Sequence, residues 1–126
     1  MPLQGHHVLV IEDEPLISLD LEGALVQAGA RSVSVAATVE AALAGVRAAD
    51  ITTAVVDLRL NGQSVRDAVR VLVERELPFV FYSGLEATPT AASWPKVPLL
   101  TKPLPPEDVV NTLVQVVAAH RRGNPT

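Results

Sequence analysis

The sequence contains no cysteine. Disulfides, thiolate metal sites and cysteine nucleophiles are therefore excluded. Aromatic residues are scarce: two Phe, one Tyr and one Trp in 126 residues. Any core must be assembled from Val, Leu, Ile and Ala. Beyond Arg121-Arg122 there is no run of basic residues, and the net charge is −4, so a nucleic-acid-binding face is not expected. No apolar stretch approaches the roughly 20 residues of a membrane span. The start, Met1-Pro2-Leu3-Gln4-Gly5-His6-His7, has neither the basic opening nor the apolar middle of a signal peptide. A soluble cytoplasmic protein without a membrane segment is the expectation.

What is present is apolar side chain, at 48% of residues against 19% charged, which excludes a disordered tail. The length fits one domain over 1–126, with a core from about residue 6 to 122. The chain stops four residues after Arg122, so no output domain is expected in this polypeptide.

Strand-like and helix-like segments alternate. Val8-Leu9-Val10-Ile11 is a continuous apolar run, as expected of a strand buried on both faces. Pro15 suits the first turn of a helix in which Ile17, Leu21, Ala24, Leu25 and Ala28 share a stripe and Gly29 supplies the C-terminal cap. Residues 32–36 read as a second, more polar strand at an edge. Thr38 caps the next helix, with Glu40 in its first turn and Leu43 and Val46 inside. Residues 52–57 form a third strand ending in Asp57, and Asn61-Gly62 marks a turn. Ser64 to Asp67 resembles a capping box with Asp in place of Glu, opening a helix with the stripe Val65, Val69, Leu72 and Val73. Residues 78–82 are a fourth strand. Pro89, Pro95 and Pro98 break the pattern after Glu86, leaving room only for a short helix around residues 90–93. Residues 97–101 are a fifth strand. Pro106, Glu107 and Asp108 open a last helix that runs to about Arg121, before Gly123.

Short connections and right-handed crossovers turn this order into an α/β fold: a five-stranded parallel sheet with helices on both faces and an irregular fourth helix. Such sheets bind ligands beyond the C-terminal ends of their strands. Four strand ends there are polar: Glu12-Asp13-Glu14, Asp57, Ser83-Gly84 and Lys102-Pro103. Taken singly, an acid after a strand is a cap, a serine a turn residue and a lysine a solvated charge. Together they form a set. Glu12, Asp13 and Asp57 would crowd like charges, which a hard divalent cation relieves; oxygen-only ligands point to Mg²⁺. Asp57 can attack phosphorus and hold an aspartyl phosphate. Lys102 offers a compact positive charge, and Ser83 a hydroxyl donor, to phosphoryl oxygens.

These residues resemble the receiver domain of two-component response regulators. The matching segments are Val-Leu-Val-Ile-Glu-Asp-Glu-Pro at 8–15, Ala-Val-Val-Asp-Leu at 54–58, Phe-Tyr-Ser-Gly at 81–84 and Thr-Lys-Pro-Leu at 101–104. The resemblance implies a flavodoxin-like, CheY-like receiver fold with Asp57 as phosphoacceptor and Ser83 and Lys102 beside it. It places Glu12 and Asp13 as the acidic pair, Asp13 the direct Mg²⁺ ligand, and adds the backbone carbonyl of Arg59. It implies a histidine kinase or histidine phosphotransfer protein as donor and a downstream protein target. It also implies a cis Lys102-Pro103 bond, and no catalysis beyond the domain's own phosphoryl transfer and slow dephosphorylation.

Two departures from the family stand out. The position of its switch aromatic is Leu99, and Tyr82 precedes Ser83 where a small residue is common. The simpler reading of Tyr82 is packing at the sheet end; the sharper one gives it part of the switching role. Pro78 to Gly84 with the weak fourth helix resembles a stand-alone subgroup bearing a Pro-Phe-x-Phe-Ala-Thr-Gly motif, which implies that residues 86–95 order on phosphorylation. His6 and His7 read as solvated, His120 as a helix-end cation, Arg59 as solvated, and Trp94 equally as core or as partner anchor. The broad apolar arc of the last helix fits a homodimer or partner face. Two other readings compete. A receiver-like module could bind a protein without phosphorylation, but then the set Asp57, Ser83 and Lys102 has no purpose. An aspartate-nucleophile phosphatase needs an acid where Arg59 stands.

Overall fold

The computed structural model describes residues 1–123. Strand β1 (His7–Ile11) leads into α1 (Pro15–Gln27), β2 (Ser32–Ala36), α2 (Val39–Arg47) and β3 (Thr53–Val56). A short hairpin, β4 (Arg59–Leu60) and β5 (Gln63–Ser64), precedes α3 (Arg66–Glu74) and β6 (Phe79–Ser83). A 3₁₀ turn (Leu85–Ala87) and the one-turn helix α4 (Thr88–Ala91) follow, then β7 (Leu99–Thr101) and α5 (Pro106–Arg121). The main sheet has the order β2-β1-β3-β6-β7, every pair parallel. This is the flavodoxin-like strand order that the sequence leads one to expect. Among the described residues no helix is long and apolar enough to cross a membrane.

Both faces of the sheet are covered, which explains the unbroken apolar runs. Val8, Val10, Val55, Val80 and Tyr82 point to one face and pack with Leu21, Leu25, Val109 and Leu113 of α1 and α5. Leu9, Ile11, Val56, Phe79 and Phe81 point to the other and pack with Ala42, Val46, Val69 and Leu72 of α2 and α3. Polar β2 is indeed an edge strand.

Helix ends obey local chemistry. Thr38 accepts the Ala41 N–H, as its sequence position predicts. Gly29, with φ +97°, closes α1 with bonds from its own N–H to Val26 and from Ala30 N–H to Leu25, the Schellman pattern. Glu76 closes α3 the same way at φ +56°, with Glu76 N–H on Val73 and Leu77 N–H on Leu72.

Several expectations are corrected. The capping box at Ser64 to Asp67 does not form. Val65 is drawn into the core and becomes the N-cap, so Ser64 sits one place early and accepts only the Arg66 N–H. Val73 is 45% exposed rather than buried, because it lies on the open wall of a hollow with Leu77, Phe79 and Trp94. The short helix begins at Thr88 instead of Thr90, with Pro89 in its first turn. The last strand starts at Leu99: Pro98 lends its carbonyl to Phe81 N–H but has no N–H of its own. In α5, Val110 is buried, Val114 is half-buried against the α1/α5 core and Ala118 is half-buried, so α5 offers no large exposed apolar side chain. The surplus lies on α1, at Leu16, Leu19 and Val26.

Candidate functional site

Asp57 follows β3, and its backbone N–H bonds the Ile11 carbonyl. Its side chain is buried and fully engaged. Oδ1 accepts Ser83 Oγ at 2.5 Å and Arg59 N–H at 3.3 Å; Oδ2 accepts Lys102 Nζ at 2.8 Å. Ser83 ends β6 and is itself buried, its Oγ accepting the Leu58 N–H at 3.2 Å. Lys102 follows β7, where its own N–H bonds the Ser83 carbonyl. The Lys102-Pro103 bond is cis, in agreement with the sequence reading.

Glu12 follows β1 and is buried. Its Oε1 lies 2.7 Å from Lys102 Nζ and its Oε2 accepts the Glu14 N–H. Asp13 is half-buried, and its Oδ2 accepts the Asn61 N–H at 2.8 Å. That contact comes from the β4–β5 hairpin, whose turn residues Asn61 and Gly62 both have positive φ, +51° and +78°. The Asn61-Gly62 pair signals the turn; the bond to Asp13, 48 residues away, has no local signal.

The electrostatics follow from burial. Desolvation pushes the Glu12 carboxyl up to about 7, reinforced by the Asp57 charge and opposed by Lys102 and the Glu14 N–H. Burial also works against charge on Asp13, but the Asn61 N–H and Glu12 outweigh it, and its pKa falls. Burial alone would lower the Lys102 pKa; Asp57 and Glu12 overcome this and raise it. One carboxylate oxygen from each of Glu12, Asp13 and Asp57 lies within 4.8 Å of the others. One ammonium faces these three acids, so the ionised nest keeps a negative excess. An oxygen-only donor set with that excess fits a hard divalent cation such as Mg²⁺.

The groove above them, about 330 Å³, is lined by Asp13, Asp57, Arg59, Gly84, Glu86 and Lys102. Arg59 faces this groove, but its guanidinium turns to the Gly62 carbonyl at 2.8 Å and stays exposed. Glu86 at the rim has no signal in the sequence. A larger hollow of about 750 Å³, walled by Trp94, Phe79, Leu77 and Val73, opens at the opposite end of the sheet. Trp94 is half-buried against the core, 6.1 Å from Phe81 and 5.7 Å from Arg66, and also walls this hollow. His6 and His7 are not solvated as expected: both are half-buried, bonded to Thr52 Oγ1 and Ser32 Oγ. His120 bonds the Glu76 carbonyl at 2.7 Å.

No family model and no curated protein matches the sequence. Solved structures do. SdrG from Sphingomonas melonis shares 31% identity and a TM-score of 0.77, over 94% of this chain and 98% of that one. A response regulator receiver protein from Sinorhizobium medicae shares 27% identity and a TM-score of 0.81, over 93% and 98%. The chain belongs to the response regulator receiver family. PhyR from Brucella abortus, at 29% identity and a TM-score of 0.77, is covered for 52% of its length by 97% of this chain. In this receiver the acidic nest, Ser83 and Lys102 lie at the C-terminal end of the sheet, where Asp57 crosses from β3 toward α3.

Proposed function

We propose that this receiver accepts a phosphoryl group on Asp57 from a histidine kinase or histidine phosphotransfer protein and signals through a changed protein-binding surface. The observation that carries the reading is the Asp57 carboxylate itself, already met by a hydroxyl at 2.5 Å and an ammonium at 2.8 Å. A carboxylate oxygen attacks phosphorus, and the phosphorus–nitrogen bond of the donor phosphohistidine breaks, its electron pair returning to the imidazole. Ser83 and Lys102 then follow the charge from carboxylate to phosphoryl oxygens. Glu12, Asp13, Asp57 and the Arg59 carbonyl would hold Mg²⁺, which would supply positive charge to offset the crowded carboxylates and the incoming phosphoryl group.

The buried nest also argues against a module that works without phosphorylation, since such a module gains nothing from crowding Glu12 against Asp57. The likeness to SdrG, which this chain covers to 98%, with Pro78 to Gly84, supports the stand-alone motif subgroup. The domain spans 1–126, acts in the cytoplasm, and catalyses only its own phosphoryl transfer and slow loss. Leu16 and Leu19 are 77% and 63% exposed on α1, which begins beside the acidic nest, and form the natural landing surface for a donor approaching Asp57. Incubation with acetyl phosphate and Mg²⁺ followed by intact mass tests the reading. Labelling of wild type but not of Asp57→Asn is expected; an unlabelled wild type would overturn the reading in favour of a module that binds without phosphorylation.

A further inference from the structure

Tyr82 is 4% exposed among the aliphatic residues of the α1/α5 face, where a phenylalanine would pack equally well. Its hydroxyl has a separate task. The phenol donates to the Leu104 carbonyl at 3.2 Å and accepts the Leu104 N–H at 2.9 Å, closing a two-bond clamp on one residue 22 positions away. Leu104 lies two residues beyond Lys102, with Pro103 and its restricted φ between them. The Lys102 N–H is fixed in turn by the Ser83 carbonyl at 2.9 Å. Consecutive residues of β6 thus grip the chain on both sides of the Lys102 α-carbon. The ammonium that reaches Asp57 and Glu12 also lies 5.8 Å from the Tyr82 ring. Past the clamp, α5 begins at Pro106 with no side-chain cap of its own, so the phenol is the polar tie of this connection to the sheet, beside the packing of Leu104.

We infer that Tyr82 is a positioning residue for phosphoryl acceptance: its hydroxyl holds the 102–104 backbone so that Lys102 arrives at Asp57 with its reach already set. The inference rests on the phosphoacceptor reading above. It reaches beyond packing, because the hydroxyl contributes to the rate only through Lys102.

The test is a double-mutant cycle on acetyl phosphate labelling at saturating donor and Mg²⁺, read by intact mass, with Tyr82→Phe, Lys102→Ala and the double variant. Tyr82→Phe keeps the ring and loses the clamp. It slows labelling about tenfold in wild type and produces no further slowing once Lys102 is alanine. Hydrogen exchange at the Leu104 amide accelerates in Tyr82→Phe, which checks the bond independently of any rate. Equal slowing by Tyr82→Phe with and without Lys102, or labelling at the wild-type rate in a variant whose Leu104 amide has lost protection, overturns the inference. Absence of labelling in wild type would instead remove the phosphoacceptor reading, a separate outcome.

Discussion

Ser83 shows how much one atom can carry. Its Oγ donates to Asp57 and accepts from Leu58 N–H with no exposure to water. Ser83→Ala leaves that buried N–H without a partner, so a loss of about 1–3 kcal/mol in urea unfolding is expected. Labelling by acetyl phosphate should slow about tenfold or more as the phosphoryl oxygens lose a donor. His6 carries a pH dependence. Burial, then Arg121, His120 and His7, disfavour its cationic form and lower its pKa. A lowered folded-state pKa means that the unfolded chain binds the proton more readily. The His6 contribution is therefore present above about 6.5 and fades as pH falls through the folded value. Urea midpoints measured from pH 8 to pH 5 should fall more steeply in wild type than in His6→Gln.

At the scale of elements, the two Schellman caps invite comparison. Gly29 reaches φ +97° without a Cβ penalty, whereas Glu76 holds φ +56° against one. Glu76→Gly should stabilise the protein by about 0.5 kcal/mol in urea unfolding, the relief exceeding the extra freedom that glycine gives the unfolded chain. Gly29→Ala should destabilise it by about 1 kcal/mol. On α1, the exposed Leu16 and Leu19 set an expectation for the donor complex. Leu19→Glu should reduce the ratio of partner-driven to acetyl phosphate-driven labelling about tenfold.

Across the whole molecule, the segment from Leu85 to Pro98 joins the two poles. It starts beside Ser83, contributes one turn of helix, and places Trp94 against Phe81 before reaching the apolar hollow below. Because Trp94 is the sole tryptophan, its emission reads this segment and its seat against Phe81 and Arg66. Beryllofluoride with Mg²⁺, a phosphoryl mimic, should shift Trp94 emission and slow hydrogen exchange over 85–98. Asp57→Asn should abolish both changes. Unaltered emission and exchange in wild type would show that the segment does not respond to the site.

Much of this was legible in the chain itself. Continuous apolar runs such as Val8 to Ile11 mark strands buried on both faces, so the residue after each run is a strand end. That logic alone brought Glu12, Asp57, Ser83 and Lys102 to one edge. Local chemistry likewise set the Thr38 cap, the Gly29 stop and the Asn61-Gly62 turn. Folding decided what depends on partners far along the sequence: the Asn61 N–H on Asp13, the Leu58 N–H on Ser83, and the Tyr82 hydroxyl on Leu104. It also moved the start of α3 by drawing Val65 into the core, and left Val73 exposed on the wall of the hollow. Periodicity registers which face a residue takes, but a hydrogen bond between residues 22 to 48 positions apart exists only once the sheet has brought its strand ends together.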